Sequence, residues 1–210
     1  MYLTDTREEG EVDNACRVFL VMAHNLYQRR IVIASDRHEA IILTDIRHRL
    51  PHLVSREFRL DGREVELYTL RNTKGTEVKV TTYGARLVAW SAYGKDHKRT
   101  DIVLGYADGA AYEKDNTSMG GLVGRHANRI AGGKVTIDGK TYQLDLNTGS
   151  HNQNHIHGGF QGFHQKLWTA EETDQGVKFT YHAADGEGGY PGNMTVHVLY
   201  SLSNDNELSI

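Results

Sequence analysis

The fold class of this chain is decided by the stretch Phe58-Arg59-Leu60-Asp61-Gly62-Arg63-Glu64-Val65-Glu66-Leu67. Apolar residues stand at every second position on both sides of the Asp61-Gly62 pair, with charged residues between them. A period of two is typical of a strand with one buried face, and Asp-Gly is typical of a two-residue turn. The stretch therefore predicts a β-hairpin.

The same alternation recurs further along the chain. It is found at 78–80, at 177–181, at 194–200, and at 135–144 around a second Asp-Gly turn, Asp138-Gly139. No window in this region shows a sustained apolar period of 3.6 residues, which a helix would need. Many short strands separated by glycine turns predict an all-β sandwich or barrel.

Composition divides the chain near Pro51. Residues 1–52 contain no lysine and a single glycine, Gly10, although the chain has 22 glycines in all. We interpret 1–52 as an N-terminal extension and 53–210 as the main domain. Within 1–52, a helix is possible at 15–27 and strands are possible at 30–34 and 40–43. We find no candidate catalytic or binding residues in the extension. A leader without a function is the preferred interpretation, and a partner-docking or regulatory segment is the alternative.

The charge balance and the single cysteine restrict the classes of function. The net charge is −3, and no basic run suggests a nucleic-acid surface. Cys16 is the only cysteine, so the chain cannot form an internal disulfide. The acidic N-terminus does not resemble a signal peptide, and no run of about 18 apolar residues suggests a membrane span. We expect a soluble cytoplasmic protein.

Groups suited to binding a polyol concentrate in two stretches. The first, 124–133, reads GRHANRIAGG and places the amide of Asn128 beside the guanidinium of Arg129. The second, 157–168, reads HGGFQGFHQKLW and begins with His157 before two glycines. Amide and guanidinium groups are fork-shaped donors that bind pairs of hydroxyl groups. We therefore expect a site for a neutral polyol.

The second stretch also carries three aromatic residues, Phe160, Phe163 and Trp168. We expect them to supply flat apolar surface that could cover the apolar face of a sugar. A core position is the alternative for the tryptophans, and it is the preferred interpretation for Trp90 and, less firmly, for Trp168.

Four motifs in order carry a resemblance to a known family: GRHANRIAGG, IDGKTYQL, HGGFQGFHQKLW and DGEGGYPG. Together they resemble the aldose 1-epimerase (galactose mutarotase) family. The resemblance runs from about Val54 to Ile210 and covers about the N-terminal half of the family's domain. It implies a twisted β-sandwich, here apparently truncated, and an unrelated extension over 1–52.

The resemblance also implies an activity and a set of roles. Family members interconvert the α and β anomers of aldohexoses such as galactose or glucose, in carbohydrate metabolism, without a metal or a cofactor. Ring opening needs an acid at the ring oxygen and a base at the anomeric hydroxyl. By the family's motifs, Asn128 and Arg129 hydrogen-bond sugar hydroxyls, and His157 lies near the ring oxygen.

The family's general acid and general base are expected beyond Ile210. The acid belongs to a Thr-Asn-His-x-Tyr-Phe-Asn type motif and the base is a later glutamate, and neither motif occurs in these 210 residues. Two hypotheses follow: an aldose 1-epimerase, and a catalytically inactive sugar-binding fragment. Some relatives act on phosphorylated hexoses, and a site for a phosphate group would be indicated by an additional basic cluster. We find no such cluster beyond Arg125 and Arg129.

Two other patterns permit a second interpretation. His151, His155 and His157 form an H-x3-H-x-H array that could bind a transition metal, although a polar loop is the preferred interpretation. The segment 185–192, DGEGGYPG, could supply a general base or a calcium loop. Its ligand spacing does not fit an EF-hand, and we expect a tight turn that starts the strand near Met194.

Overall fold

The structure is a computed structural model, and it describes residues 31–34, 40–43, 53–60, 62–114 and 117–210. The described residues belong to two units of the chain, one within 5–50 and one within 51–210. In the first unit, strands β1 (Ile31–Ala34) and β2 (Ala40–Leu43) pair antiparallel. Both strands suggested by the sequence are confirmed, whereas the possible helix at 15–27 lies outside the described residues. The division into an extension and a domain stays a prediction.

The second unit begins with a five-stranded antiparallel sheet. Its strands follow one another in chain order: β3 (Leu53–Leu60), β4 (Arg63–Arg71), β5 (Glu77–Thr81), β6 (Arg86–Tyr93) and β7 (Arg99–Asp101). Leu60 pairs with Arg63, so the loop between β3 and β4 has only two residues. The hairpin that the sequence predicts at this point is confirmed.

A short helix and two pairs of short strands come next. The helix α1 (Gly109–Glu113) is capped by the Asp108 carboxylate, which accepts a 2.9 Å hydrogen bond from the backbone N–H of Ala111. Strands β8 (Arg129–Ala131) and β11 (Asn154–Ile156) pair with each other, and β9 (Lys134–Ile137) pairs with β10 (Lys140–Gln143). Asp138 and Gly139 have φ of 49° and 77°, which a two-residue turn of type I′ requires.

A four-stranded antiparallel sheet completes the unit, with 3-10 turns at Phe163–Gln165 and Glu187–Gly189 on either side of its first strands. Its strands are β12 (Thr169–Glu172), β13 (Val177–Ala183), β14 (Met194–Leu202) and β15 (Leu208–Ser209). None of the helices in the described ranges is long and apolar enough to cross a membrane.

The core lies between the five-stranded and the four-stranded sheet. Val78 and Val80 of β5 are fully buried, as is Phe179 of β13. The ring of Tyr68 on β4 meets Phe179 edge-on, with 5.9 Å between centroids. The Tyr200 hydroxyl on β14 donates a 2.9 Å hydrogen bond to the carbonyl oxygen of Ala85. Two sheets that share one apolar core form a sandwich, so the predicted fold class is confirmed.

Polar contacts close one end of the sandwich. Asn72, after β4, donates from Nδ2 to the carbonyl oxygen of Ser203 and to Oδ1 of Asn206, each at 2.8 Å. Thr76 also donates to Asn206, at 2.8 Å. Because these contacts join the β4–β5 loop to the β14–β15 loop, they fix one sheet against the other.

Candidate functional site

The pairing of β8 with β11 gathers the three predicted site residues. Ile156 pairs with Arg129, so Asn128 and His157 occupy the next position along the ladder. The backbone N–H of His157 donates to the carbonyl oxygen of Asn128 at 3.2 Å. In return, the backbone N–H of Asn128 donates to His157 Nδ1 at 3.0 Å. Asn128, Arg129 and His157 therefore lie together at one end of this strand pair.

Both residues of this reciprocal pair have a left-handed backbone. The φ angle is 68° at Asn128 and 52° at His157. Left-handed geometry costs roughly 1–2 kcal/mol for a residue with a Cβ, although asparagine tolerates it better than most. Such geometry persists only where the surroundings enforce it, and it is found preferentially at functional sites.

The loop that follows His157 is held by close backbone contact. A Cβ at Gly158, where φ is 86°, would collide with the carbonyl oxygen of Gly124, so only glycine allows the two loops to touch. Asp145 accepts a 3.2 Å hydrogen bond at Oδ2 from the backbone N–H of Phe160. These contacts place the loop after β11 directly against the loop before β8.

The hydrogen bond from Asn128 determines the tautomer of His157. Because Nδ1 accepts a backbone N–H, the neutral ring carries its proton on Nε2. Burial lowers the pKa of His157 below its ordinary value of 6.5, and the charge of Arg129 and the neighbouring His155 lower it further. At neutral pH, His157 therefore offers an N–H donor at Nε2 and not a labile proton.

Asn128 and Arg129 add further donors beside His157. Both side chains are exposed, and Arg129 Nη1 donates to Asn128 Oδ1 at 3.4 Å. Within the part of the chain that the structure describes, neither Nδ2 of Asn128 nor Nε2 of His157 has a hydrogen-bond partner. The site thus brings together the exposed amide and guanidinium donors and the half-buried imidazole donor, which suits the hydroxyl and ether oxygens of a sugar.

The aromatic residues of the second stretch separate into surface and core. Phe160 is 59% exposed. Phe163 and Trp168 are buried in the sandwich core at 4% and 2%, and Trp168 Nε1 donates to the carbonyl oxygen of Phe163 at 3.0 Å. The expectation that all three rings supply ligand surface is wrong for these two, because the apolar core takes up both rings. The alternative interpretation of Trp168 as a core residue is confirmed.

The histidine array does not converge. His155 is fully buried, with Nδ1 2.8 Å from the carbonyl oxygen of Asp145 and Nε2 2.7 Å from the hydroxyl of Tyr190. His151 is exposed, and its ring lies 3.1 Å from the hydroxyl of Ser150. Among the described residues, no group of three or more His, Cys, Asp or Glu side chains could hold a metal ion.

The glycine-rich segment at 185–192 forms a turn, as expected. The carboxylate of Asp185 accepts a hydrogen bond from the backbone N–H of Gly192, and its backbone N–H donates to Asn193 Oδ1 at 2.9 Å. Strand β14 then begins at Met194. The carboxylate of Asp185 therefore stabilises the turn that starts this strand.

Sequence reasoning missed two residues that hold this segment. Arg125 donates to the carbonyl oxygens of Ala184, Pro191 and Gly192 at 2.7 Å, 3.0 Å and 2.8 Å. Tyr190 is buried at 7% and bonds His155. The one sequence signal for Tyr190 was that it is the only large apolar side chain in a glycine-rich turn, which favours its burial. The partners of Arg125 lie 59 to 67 positions away, so no spacing pattern indicates them.

The chain is similar to known proteins of one family. The sequence model of the aldose 1-epimerase family matches residues 66–210, and so begins later than the resemblance that we place from about Val54. Rat galactose mutarotase is 40% identical over 141 residues, which are 67% of this chain and 40% of the rat protein. The aldose 1-epimerase of Escherichia coli K12 is 36% identical over 151 residues, 71% of this chain and 43% of the relative.

A solved structure is similar as well. The galactose 1-epimerase of Lactobacillus acidophilus superimposes with a TM-score of 0.64 at 32% identity, over 75% of this chain and 46% of that one. The chain thus spans about two fifths of the length of the curated relatives it matches. With the family matched over most of the chain and the sandwich shared, this chain belongs to the aldose 1-epimerase family.

Proposed function

We propose that Asn128, Arg129 and His157 bind the pyranose form of an aldohexose such as galactose or glucose. On this proposal the chain contributes these groups to an aldose 1-epimerase that interconverts the α and β anomers in cytoplasmic carbohydrate metabolism. No metal, nucleic acid or membrane is required. The observation that carries the proposal is the reciprocal hydrogen bonding of Asn128 and His157, which leaves Asn128 Nδ2 and His157 Nε2 without a hydrogen-bond partner among the described residues.

Each side chain has a role that its chemistry supports. Neutral His157 donates from Nε2 to the ring oxygen or to a neighbouring hydroxyl. Arg129 and Asn128 donate to hydroxyl pairs, which fixes the orientation of the ring. Anomer exchange also needs a proton at the ring oxygen and a base at the anomeric hydroxyl. By family resemblance, those two groups belong to a Thr-Asn-His-x-Tyr-Phe-Asn type motif and to a later glutamate, neither of which occurs in these 210 residues.

The second candidate function is sugar binding without turnover. The lowered pKa of His157 favours it, because a ring that stays neutral at pH 7 is a hydrogen-bond donor and a poor proton source. The same observation suits a binding role for His157 within a complete epimerase. Binding and turnover must therefore be measured separately.

The binding test uses the 210-residue chain titrated with galactose and with glucose by calorimetry. His157→Ala removes the Nε2 donor and should weaken the affinity at least tenfold, about 1.4 kcal/mol. His151→Ala is the matched control, since His151 is an exposed histidine of the adjoining loop. Unchanged affinity in His157→Ala, or an equal loss in both variants, would remove His157 from the site.

Turnover is measured by polarimetry on freshly dissolved α-galactose. Acceleration that His157→Ala reduces would support the epimerase. Binding without acceleration would support the second candidate, because loss of a general acid or base costs about 100- to 10,000-fold in rate. Absence of binding to either sugar would contradict both.

A further inference from the structure

A buried histidine lies immediately behind the site. His155 is the central residue of β11, opposite Ile130 of β8, and it is fully buried. The carbonyl oxygen of Asp145 can only accept, so His155 Nδ1 carries the proton and donates to it. His155 Nε2 must then accept the hydrogen bond from the Tyr190 hydroxyl. Both ring nitrogens are used, and the orientation of the ring is fixed.

Tyr190 joins this histidine to the loop before β8. Its ring meets the ring of His155 edge-on, with 5.4 Å between centroids. The backbone of His126 hydrogen-bonds the same tyrosine, and burial raises the pKa of Tyr190 to about 12. The hydroxyl therefore remains protonated throughout the physiological pH range and is available to donate to His155 Nε2.

Arg125 fastens the loop that carries Tyr190. Its guanidinium binds three carbonyl oxygens of the segment 184–192 and lies 5.8 Å from the centre of the Tyr190 ring. The segment is thereby attached to Arg125 and to the backbone of His126, which lie three and two residues before Asn128. Through Tyr190 it is attached to His155, two residues before His157. One loop thus contacts strand β11 at His155 and the chain before β8 at Arg125 and His126, in both places just short of the site residues.

The strand pair needs such support. It has three residue pairs, and two-stranded ladders alone are marginally stable in water. Asn128 and His157 also keep left-handed φ angles that their own side chains disfavour. Contacts from outside the pair must therefore maintain the geometry.

We propose that His155 and Tyr190 are positioning residues of the site, which hold β8 and β11 in the register that makes the hydrogen bond from Asn128 N–H to His157 Nδ1. Neither residue contacts the sugar. They act by keeping His157 in one tautomer, with Nε2–H directed to the ligand. The consequence for sugar affinity rests on the proposed function, whereas the consequence for His157 itself is a property of the free protein.

The test compares Tyr190→Phe with Tyr200→Phe, because each removes one buried tyrosine hydroxyl and only the hydroxyl of Tyr190 bonds a residue of the strand pair β8–β11. Nitrogen-15 NMR of the ligand-free chain reports the tautomer and the pKa of His157. We expect Tyr190→Phe to mix the two tautomers, to move the pKa of His157 towards 6.5, and to weaken galactose binding three- to tenfold. Tyr200→Phe should leave all three quantities unchanged.

A second pair of variants separates positioning from stability. His155→Gln keeps one donor and one acceptor, and it should largely preserve the tautomer and the lowered pKa of His157, which together are the His157 signature. His155→Leu should lose this signature. If Tyr190→Phe and His155→Leu lower the melting temperature yet leave the His157 tautomer and pKa unchanged, the proposal is overturned. If the signature behaves as expected but the wild-type chain binds no sugar, the proposed function fails and the positioning role stands.

Discussion

The sandwich core and the strand pair β8–β11 are built on different principles. The core joins strands of up to nine residues through apolar side chains such as Val78, Val80 and Phe179, all fully buried. The site pair joins strands of three residues, and His155 adds a polar contact to Tyr190 outside the pair. An apolar core tolerates apolar substitutions that conserve volume, and its many contacts together contribute much stability. A hydrogen bond is directional, and its individual contribution to stability is modest.

This difference shows how a small exposed site can be precise. The side chains of Asn128 and Arg129, which the proposed function assigns to a ligand, are exposed and so gain little from burial. Directional bonds from neighbouring loops replace the missing packing and define angles that apolar contact could not. Substitutions in the core should therefore lower the free energy of unfolding. Substitutions that remove the polar contacts around β8 and β11 should instead change the arrangement of the site residues.

The largest effect is expected in the core. Phe179→Ala removes a fully buried ring that packs on Tyr68 and Tyr200, and it should lower the free energy of unfolding by about 3–5 kcal/mol. Phe160→Ala is the control, because a ring that is 59% exposed should change it by less than about 0.5 kcal/mol. Urea unfolding of both variants measures the difference. Equal losses would show that the core does not dominate stability.

The two arginines of the first stretch should separate stability from binding. Arg125→Lys loses bonds to three carbonyl oxygens and should cost about 1–3 kcal/mol in the free energy of unfolding. Arg129→Lys should change stability by less than about 0.5 kcal/mol, since its side chain is exposed. It should instead weaken galactose binding about tenfold, because lysine lacks the planar fork. A loss of stability in Arg129→Lys together with a loss of galactose affinity alone in Arg125→Lys would contradict this assignment.

The smallest effect is the pH dependence of His157. Its pKa is lowered in the folded state, so the unfolded chain binds this proton first as the pH falls below 6.5. Stability should decline below that pH and level off below the folded pKa, where both states are protonated. Sugar affinity should fall over the same range, because a proton on Nδ1 breaks the bond from Asn128. NMR titration and binding from pH 8 to pH 5 measure both, and His157→Ala should lack this step.

The strands were readable from the sequence because alternation and turn chemistry are local. The hairpins around Asp61-Gly62 and Asp138-Gly139 need only neighbouring residues, and both form where predicted. The pattern could not separate core rings from surface rings within 160–168. Phe160 and Phe163 are both aromatic residues beside glycine, and only the opposing sheet determines which of them is covered.

The identity of the site residues was predicted from the sequence and stays a prediction, whereas the contacts that surround them were not predicted. Asn128, Arg129 and His157 were indicated by their chemistry and by the family motifs. Tyr190 and Arg125 were not, because their partners lie many residues away in the chain. His155 was interpreted as a possible metal ligand, since spacing alone cannot show that both ring nitrogens have partners.

The sequence by itself determined the strand alternation, the Asp-Gly turns and the kinds of polar group available for a ligand, because these depend on residues close together in the chain. Only the tertiary structure decided which of those groups have hydrogen-bond partners among the described residues. The backbone N–H of Asn128 reaches the ring of His157 from 29 positions away and thereby selects its protonated nitrogen. A tautomer depends on a hydrogen-bond partner, and that partner exists only once the chain has folded.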